Sequence, residues 1–322
     1  MWYTNDFPSQ NAIIEALNRI KSFIHRTPIF TSESLNQAVA GNLFFKCENL
    51  QKTGSFKFRG ASNAVLSLSQ NEASRGVATH SSGNHAQALS LAAKLRGVTA
   101  HIVMPENAAK PKIAAVKQYG GIITFCEPNL ESREKVLREV MLKTGACEIH
   151  PYNDYRTICG QATAAKELIE DSGVTLDVII APVGGGGLVS GTALASRYFS
   201  PETIVVAAEP EKANDAYLSF RAKSIFPAIP KPDTIADGLL TSLGTLTFPI
   251  IIKHVSEVVT VSEQEIIEAM KLIWERLKLI VEPSAAVPFA AVLKNKIDVK
   301  GKNVGIILSG GNPDLYKIPW IV

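Results

Sequence analysis

Cysteine is scarce in this chain. The four present, Cys47, Cys126, Cys147 and Cys159, form no CxxC pair and no cysteine–histidine cluster with zinc spacing. Four reduced, mostly buried thiols are expected. Long apolar runs are missing too, since no segment reaches the ~18 residues of a membrane-spanning helix. The opening residues, Met1-Trp2-Tyr3-Thr4-Asn5-Asp6, lack the basic region and apolar stretch of a signal peptide. A soluble, cytoplasmic protein is the expectation. Nor is there an excess of one charge: 33 basic and 30 acidic residues are spread along the chain, for a net +3. No basic run is interleaved with aromatics, which argues against a nucleic-acid-binding face. A small anion held by a local positive site remains compatible. Internal repeats and low-complexity segments are absent.

What is present is a chain of 322 residues, 46% of them hydrophobic, enough for a sizeable core in two domains or one large one. Helical and strand-like patterns alternate, which places the chain in the α/β class. Residues 11–23 read as an amphipathic helix with Ile13, Ile14, Leu17 and Ile20 on one face and Pro28 as its stop. Residues 43–47 read as a strand and 56–68 as a helix. Strands are predicted at 76–80, 100–104 and 122–125, and helices at 84–96, 108–119 and 130–144. That rhythm describes a small doubly wound unit with a parallel sheet. Further on come helices at 160–172 and 191–199, strands at 177–182, 203–208, 258–261 and 302–308, and a capping-box helix start at Ser262. Pro227, Pro230 and Pro232 mark a loop.

Four segments at strand–helix junctions could carry chemistry. Gly184, Gly185, Gly186 and Gly187 let backbone N–H groups converge ahead of a helix, a cradle for a phosphate. A plain tight turn is the alternative. No Gly-Lys-Ser/Thr follows, so the segment is not a nucleotide P-loop. Ser55-Phe56-Lys57-Phe58-Arg59-Gly60 sets a lysine among aromatics, where desolvation would lower its pKa and suit it to a Schiff base. An ordinary surface lysine is the competing reading. His80-Ser81-Ser82-Gly83-Asn84-His85 would suit a carboxylate at a helix N-terminus, or would simply cap that helix through Ser81 or Ser82. Leu308-Ser309-Gly310-Gly311-Asn312 follows the last strand and by itself reads as a turn.

In this order, over residues 24–314, the four segments resemble the fold-type II pyridoxal-phosphate enzymes, and within them the serine racemase and serine/threonine dehydratase group. The resemblance implies two doubly wound α/β domains like those of the tryptophan synthase β-subunit. A large cofactor-binding domain would comprise residues 1–65 and 156–322, and a small substrate-gating domain 66–155. It also implies that Lys57 forms the Schiff base with pyridoxal 5′-phosphate and that Phe56 packs against the ring. Gly184, Gly185, Gly186, Gly187 and the N–H of Leu188 would hold the phosphate. Asn84 would contact the phenolic oxygen and Ser309 the pyridine nitrogen, where a hydroxyl partner does not force full protonation. Ser81, Ser82, Asn84 and His85 would grip the substrate carboxylate.

The same resemblance extends to other ligands. Glu209, Asp215 and the Ala213 carbonyl match a divalent-metal site suited to Mg²⁺, Ca²⁺ or Mn²⁺, where spacing alone suggests only a solvated acidic loop. Some racemases of the group bind ATP between subunits. The matching positions are Lys52, Thr53, Gln87, Lys112, Tyr119, Lys278 and Asn312, although Glu33 adds a negative charge where the group often has serine. Tyr152 stands where an asparagine is common near the cofactor. A homodimer is implied, and with no long segment after Asp314, feedback by isoleucine is not.

The implied reaction places Lys57 on one face of the substrate Cα and Ser82 on the other. Loss of the β-hydroxyl gives pyruvate and ammonia from serine, or 2-oxobutanoate from threonine. Return of the proton from the opposite face gives the other enantiomer. A 3-hydroxyaspartate dehydratase is the alternative within the family, with Arg133 as the cation for a second carboxylate. A non-catalytic cofactor-binding or storage protein is the alternative outside it.

Overall fold

The computed structural model describes residues 3, 4 and 7–320. In chain order the strands are β1 (Tyr3–Thr4), β2 (Phe7–Pro8), β3 (Ile29–Phe30), β4 (Asn42–Cys47), β5 (Val77–His80), β6 (Ala100–Pro105), β7 (Ile122–Cys126), β8 (Cys147–Glu148), β9 (Val178–Pro182), β10 (Ile204–Pro210), β11 (Glu257–Val261) and β12 (Asn303–Leu308). Beyond the β1–β2 hairpin they form two sheets. The larger has the order β11-β10-β9-β12-β4-β3 and the smaller β7-β6-β5-β8. The small sheet is parallel throughout, and in the large one only β3 runs antiparallel. Parallel strands covered by helices on both faces read as continuous apolar runs, as in Val178-Ile179-Ile180-Ala181, all buried.

This topology gathers the four segments. In open parallel sheets ligands bind beyond the carboxyl ends of the strands. The Lys57 segment follows β4, the Ser81–Asn84 loop follows β5, the glycines follow β9, the acidic segment begins with Glu209 at the end of β10 and runs past it to Asp215, and Ser309 follows β12.

Several predicted bounds move. The first helix is Gln10–Ile20, capped by the Ser9 side chain, and it ends in a turn well before Pro28. The helices expected to begin at residues 160 and 191 begin earlier, as Tyr155–Asp171 and Gly187–Phe199. Their internal glycines are not starts but close crossings. A Cβ at Gly160 would lie 2.6 Å from Gly60 Cα, and one at Gly191 would lie 2.7 Å from Ala162 N. The helix expected at 108–119 is Lys110–Gln118. Helices Glu33–Val39, Asp215–Ala222, Thr247–His254 and Pro283–Leu293 were not expected. The last is apolar on every side, so it has no periodicity to read, and it tolerates Pro288 inside it. The Ser262 capping box forms as expected. All four cysteines are free, and Cys47, Cys126 and Cys159 are buried.

One buried network ties the first turn of the Lys57 helix to the large sheet. Arg59 donates from Nε and Nη2 to Glu48 at 2.7 and 2.8 Å, and from Nη1 and Nη2 to Glu167 at 2.8 and 2.7 Å. Lys46 donates to Glu167 at 2.7 Å. All four side chains are at most 1% exposed. Two cations and two anions balance, and forked contacts satisfy the guanidinium. Removing one carboxylate would strand buried positive charge, so Glu167→Ala should cost about 3–5 kcal/mol. Urea unfolding measures this, and a loss below about 1 kcal/mol would show that the network contributes little.

Candidate active site

Lys57 opens the helix Lys57–Ser67. Just ahead, Thr53 (φ 61°) and Gly54 (φ 72°) turn the chain through the left-handed region. At Gly54 a Cβ would stand 2.4 Å from Asn312 Oδ1, so glycine is required there twice over. The Phe56 N–H donates to the Ser309 carbonyl at 3.0 Å and Ser55 forms a bridge with Gly310. Lys57 and Ser309, from distant parts of the chain, are therefore held as one unit. The Lys57 ammonium donates to the Pro151 carbonyl at 2.9 Å and lies 5.1 Å from the Phe56 ring centroid. Burial lowers its pKa to about 8, against the opposing pull of the Glu282 carboxylate.

The helix Asn84–Arg96 starts without a side-chain cap. Gly83 holds the capping position, and the one local contact is the Gly83 N–H to Ser81 Oγ at 3.3 Å. Capping by Ser81 or Ser82 is thus not what these serines do, and the N–H groups of the first turn are left for a ligand. The Asn84 amide is held on both sides, donating to Glu282 Oε1 at 2.8 Å and accepting from Asn312 Nδ2 at 2.9 Å. His85 is buried with its ring against the Ile149 carbonyl at 2.9 Å, and burial drives its pKa down to about 3. A neutral ring so engaged leaves its backbone N–H as the group it can turn to a substrate.

The glycine loop meets the same centre. A Cβ at Gly185 would fall 2.3 Å from the Tyr152 ring, and one at Gly187 would fall 2.8 Å from Tyr152 Cβ. Tyr152 adjoins Pro151, the acceptor for Lys57. Gly186 (φ 89°) caps the helix Gly187–Phe199 without a side-chain bond. Because that helix begins at Gly187, the unspent N–H groups are those of Gly187, Leu188 and Val189. A loop whose wall admits no side chain and whose N–H groups converge at a helix start fits a phosphate.

The remaining expected residues are placed more variously. Glu209 accepts from the Ala216 and Tyr217 N–H groups at 3.0 and 2.9 Å, so it caps a helix whether or not it holds a metal. Asp215 Oδ2 is buried with no partner. Burial raises Glu209 to about 9 and Asp215 to about 6. Among the described residues no cluster of three or more His, Cys, Asp or Glu suits a metal, so any cation would need the Ala213 carbonyl and water. Of the nucleotide set, Asn312 bonds the Thr53 carbonyl at 2.8 Å and Gln87 is buried. Lys112 is paired with Asp237 at 2.6 Å, and Lys278 is exposed with its ammonium on the Glu275 carbonyl at 2.6 Å. Tyr119 is half-buried, as is Lys52. Glu33 is exposed and accepts from Gln37.

Arg133 lies in the first turn of the helix Leu130–Thr144, which packs on β5 and β6. Its Nε is buried without a partner. Burial, and next Arg133, lower the pKa of His80, the residue before Ser81. His80 and His150 rings meet edge-on at 6.5 Å, and His150 and Tyr152 at 4.6 Å.

Sequence reasoning missed Glu282, which faces Asn84, Gly310 and Lys57. An acid before a proline at a helix start reads as solvent-facing, and no spacing signals that a loop from β12 will cover it. It also missed Pro151, whose role is played by a backbone carbonyl.

The profile of one family, described as "Pyridoxal-phosphate dependent enzyme", matches residues 20–310. The chain is 52% identical to a beta-hydroxyaspartate dehydratase of Paracoccus denitrificans, over 97% of this chain and 99% of that one. It is 53% identical to a serine racemase of Arabidopsis thaliana, over 94% and 93%. The crystal structure of serine racemase from Dictyostelium discoideum superposes with a TM-score of 0.89 at 49% identity, covering 95% of this chain and 99% of that one. No described helix is long and apolar enough to cross a membrane.

Proposed function

Since the chain belongs to the pyridoxal-phosphate dependent enzyme family and its relatives are racemases and ammonia-lyases, we propose that it dehydrates serine and threonine and interconverts the enantiomers of serine. The observation that carries this reading is the joining of Lys57, Asn84, Ser309 and the glycine loop by direct contacts through Glu282, Gly310, Pro151 and Tyr152. The N–H groups of the glycine loop, Asn84 and Ser309 would hold the cofactor, which would supply the electron sink that makes the Cα proton removable. Lys57 holds or takes that proton on one face. Ser82 serves the other. The free N–H groups of the helix Asn84–Arg96, with Ser81, orient the substrate carboxylate. The small sheet and its helices, residues 66–155, carry those groups and would exclude water by closing on the large sheet. Release of pyruvate and ammonia from L-serine is the test, with chirality of residual serine followed. No turnover of L- or D-serine or L-threonine would refute it.

A second reading, dehydration of 3-hydroxyaspartate, is favoured by Arg133, whose buried Nε lacks a partner near the Ser81–Asn84 loop. Arg133→Met should then lower kcat/KM for 3-hydroxyaspartate by about 10-fold to 100-fold and leave serine within a few-fold. Equal losses on both substrates would remove this reading.

Glu209, Asp215 and the Ala213 carbonyl would hold a divalent cation, since Asp215 Oδ2 is buried and otherwise unanswered. At a hundredfold excess of Mg²⁺ over its Kd the folded state should gain about 2.7 kcal/mol, lost again on chelation. Asp215→Asn should abolish that response. A melting temperature indifferent to EDTA in metal-loaded protein would contradict the site. A nucleotide site is supported less, because the Asn312 amide hydrogens and the Lys112 ammonium already have partners.

A further inference from the structure

We infer that Glu282 and Asn312 are positioning residues that fix which end of the Asn84 amide faces the cofactor. The inference rests on the reading of Asn84 as the partner of the cofactor's phenolic oxygen. A primary amide has two ends of similar shape and opposite polarity, one that donates and one that accepts. An ionised phenolic oxygen only accepts, so Asn84 must present an N–H. Turned over, the same side chain would set oxygen against oxygen.

The structure contains a chain of contacts that cannot be reversed. It begins at the Thr53 carbonyl, which can only accept, and Asn312 Nδ2 donates to it at 2.8 Å. That fixes the Asn312 amide. The second hydrogen of the same Nδ2 goes to Asn84 Oδ1 at 2.9 Å. Asn84 Nδ2 must then face the other way, and it donates to Glu282 Oε1 at 2.8 Å. Glu282 is held in turn, since its Oε2 accepts from the Asn312 backbone N–H at 3.3 Å and Gly310 leaves no room beside Oε1, where a Cβ would approach to 2.4 Å. Both ends of the chain are backbone groups, which do not flip. Asn84 Nδ2 has two hydrogens, and Glu282 takes one. The other is left for the cofactor.

Three features otherwise without a use follow from this role. The left-handed turn at Thr53 and Gly54 presents the Thr53 carbonyl and makes room for the Asn312 amide. Gly310, directly after Ser309, allows Glu282 to approach. A carboxylate is buried beside Asn84 where an apolar side chain would otherwise pack more easily.

The test is a double-mutant cycle read as the equilibrium affinity of the full-length apoenzyme for pyridoxal 5′-phosphate, followed by absorbance, with no substrate present. Asn84→Ala should weaken binding about tenfold. Asn312→Asp keeps the size of the side chain and removes its donor, and it should weaken binding by nearly as much. Glu282→Ala should do the same, while Glu282→Gln, whose amide oxygen still accepts from Asn84, should restore most of the affinity. In the Asn84→Ala background neither Asn312→Asp nor Glu282→Ala should cost anything further. A full additional loss in that background would overturn the inference, because the two residues would then act on the cofactor independently. So would unchanged affinity in Asn312→Asp, which is informative even if Glu282→Ala does not fold. If Asn84→Ala itself binds like the unaltered enzyme, the phenolic-oxygen reading of Asn84 fails, and the positioning role falls with it for that separate reason.

Discussion

Lys57→Ala should lower turnover of L-serine by about 10⁴-fold or more, because in the proposed reaction this one side chain would supply both the covalent link to the cofactor and the base on one face of Cα. The link needs a neutral amine. At pH 7.5 an ordinary lysine is neutral about one time in a thousand, whereas a pKa of about 8 makes it about one in four. Burial produces the lowering, and Glu282 opposes it. With its pKa depressed to about 8, the lysine loses its proton as pH rises through that value, so cofactor capture by the apoenzyme should accelerate with pH and level off above about 8. Stopped-flow absorbance of capture between pH 6.5 and 9.5 measures this, and a rise still unabated at pH 9.5 would show that the pocket does not desolvate the amine. Lys57→Arg should fail as completely as alanine, since a guanidinium does not lose its proton in this range. Borohydride treatment of the holoenzyme, followed by peptide mapping, should mark Lys57, and a mark on any other lysine would contradict the assignment.

The parts legible in the sequence were those whose signal is local. Strand runs such as Val178-Ile179-Ile180-Ala181 and the glycine run after them announce a parallel strand and a glycine turn into a helix without help from the rest of the chain. Ser55-Phe56-Lys57 was informative only together with the glycines and the Ser81–Asn84 loop, because a lone lysine is most often a surface residue. Polar groups whose partners arrive from far along the chain were not legible. Arg59 reads as one more charged residue in a helix, yet it is fully buried against Glu48 and Glu167. Gly160 and Gly191 read as helix starts because glycine is costly inside a helix, and the closeness of two packed helices, which overrides that cost, has no local signature. Nothing local to Asn312 signals that its amide hydrogens go to Thr53 and Asn84, at the opposite end of the chain's order.

Ser82→Ala should separate the two faces of the reaction. Racemisation needs a proton donor or acceptor on each side of Cα, and Lys57 is confined to one side by its attachment at the head of its helix. The loop that would grip the carboxylate must approach from the other. Within it, Ser81 Oγ already accepts the Gly83 N–H, and Asn84 is committed to Glu282 and Asn312. Ser82 is the half-buried hydroxyl left over. Its loss should lower both racemisation and elimination from D-serine by about 10²-fold to 10⁴-fold, the usual weight of a positioned acid–base group. Elimination from L-serine, which depends on Lys57, should persist at a reduced rate. The competing explanation, a helix cap, would cost about 1 kcal/mol of stability and leave the ratio of the enantiomers alone. Gly83 holds the cap position and no serine side chain bonds into the first turn, so the melting midpoint should move by no more than about 0.5 kcal/mol allows. Pyruvate release from each enantiomer, measured beside the melt, decides the matter. A collapsed D-to-L ratio with an unmoved midpoint identifies Ser82 as the second acid–base group, and an unchanged ratio shows that the proton on that face is handled by something else.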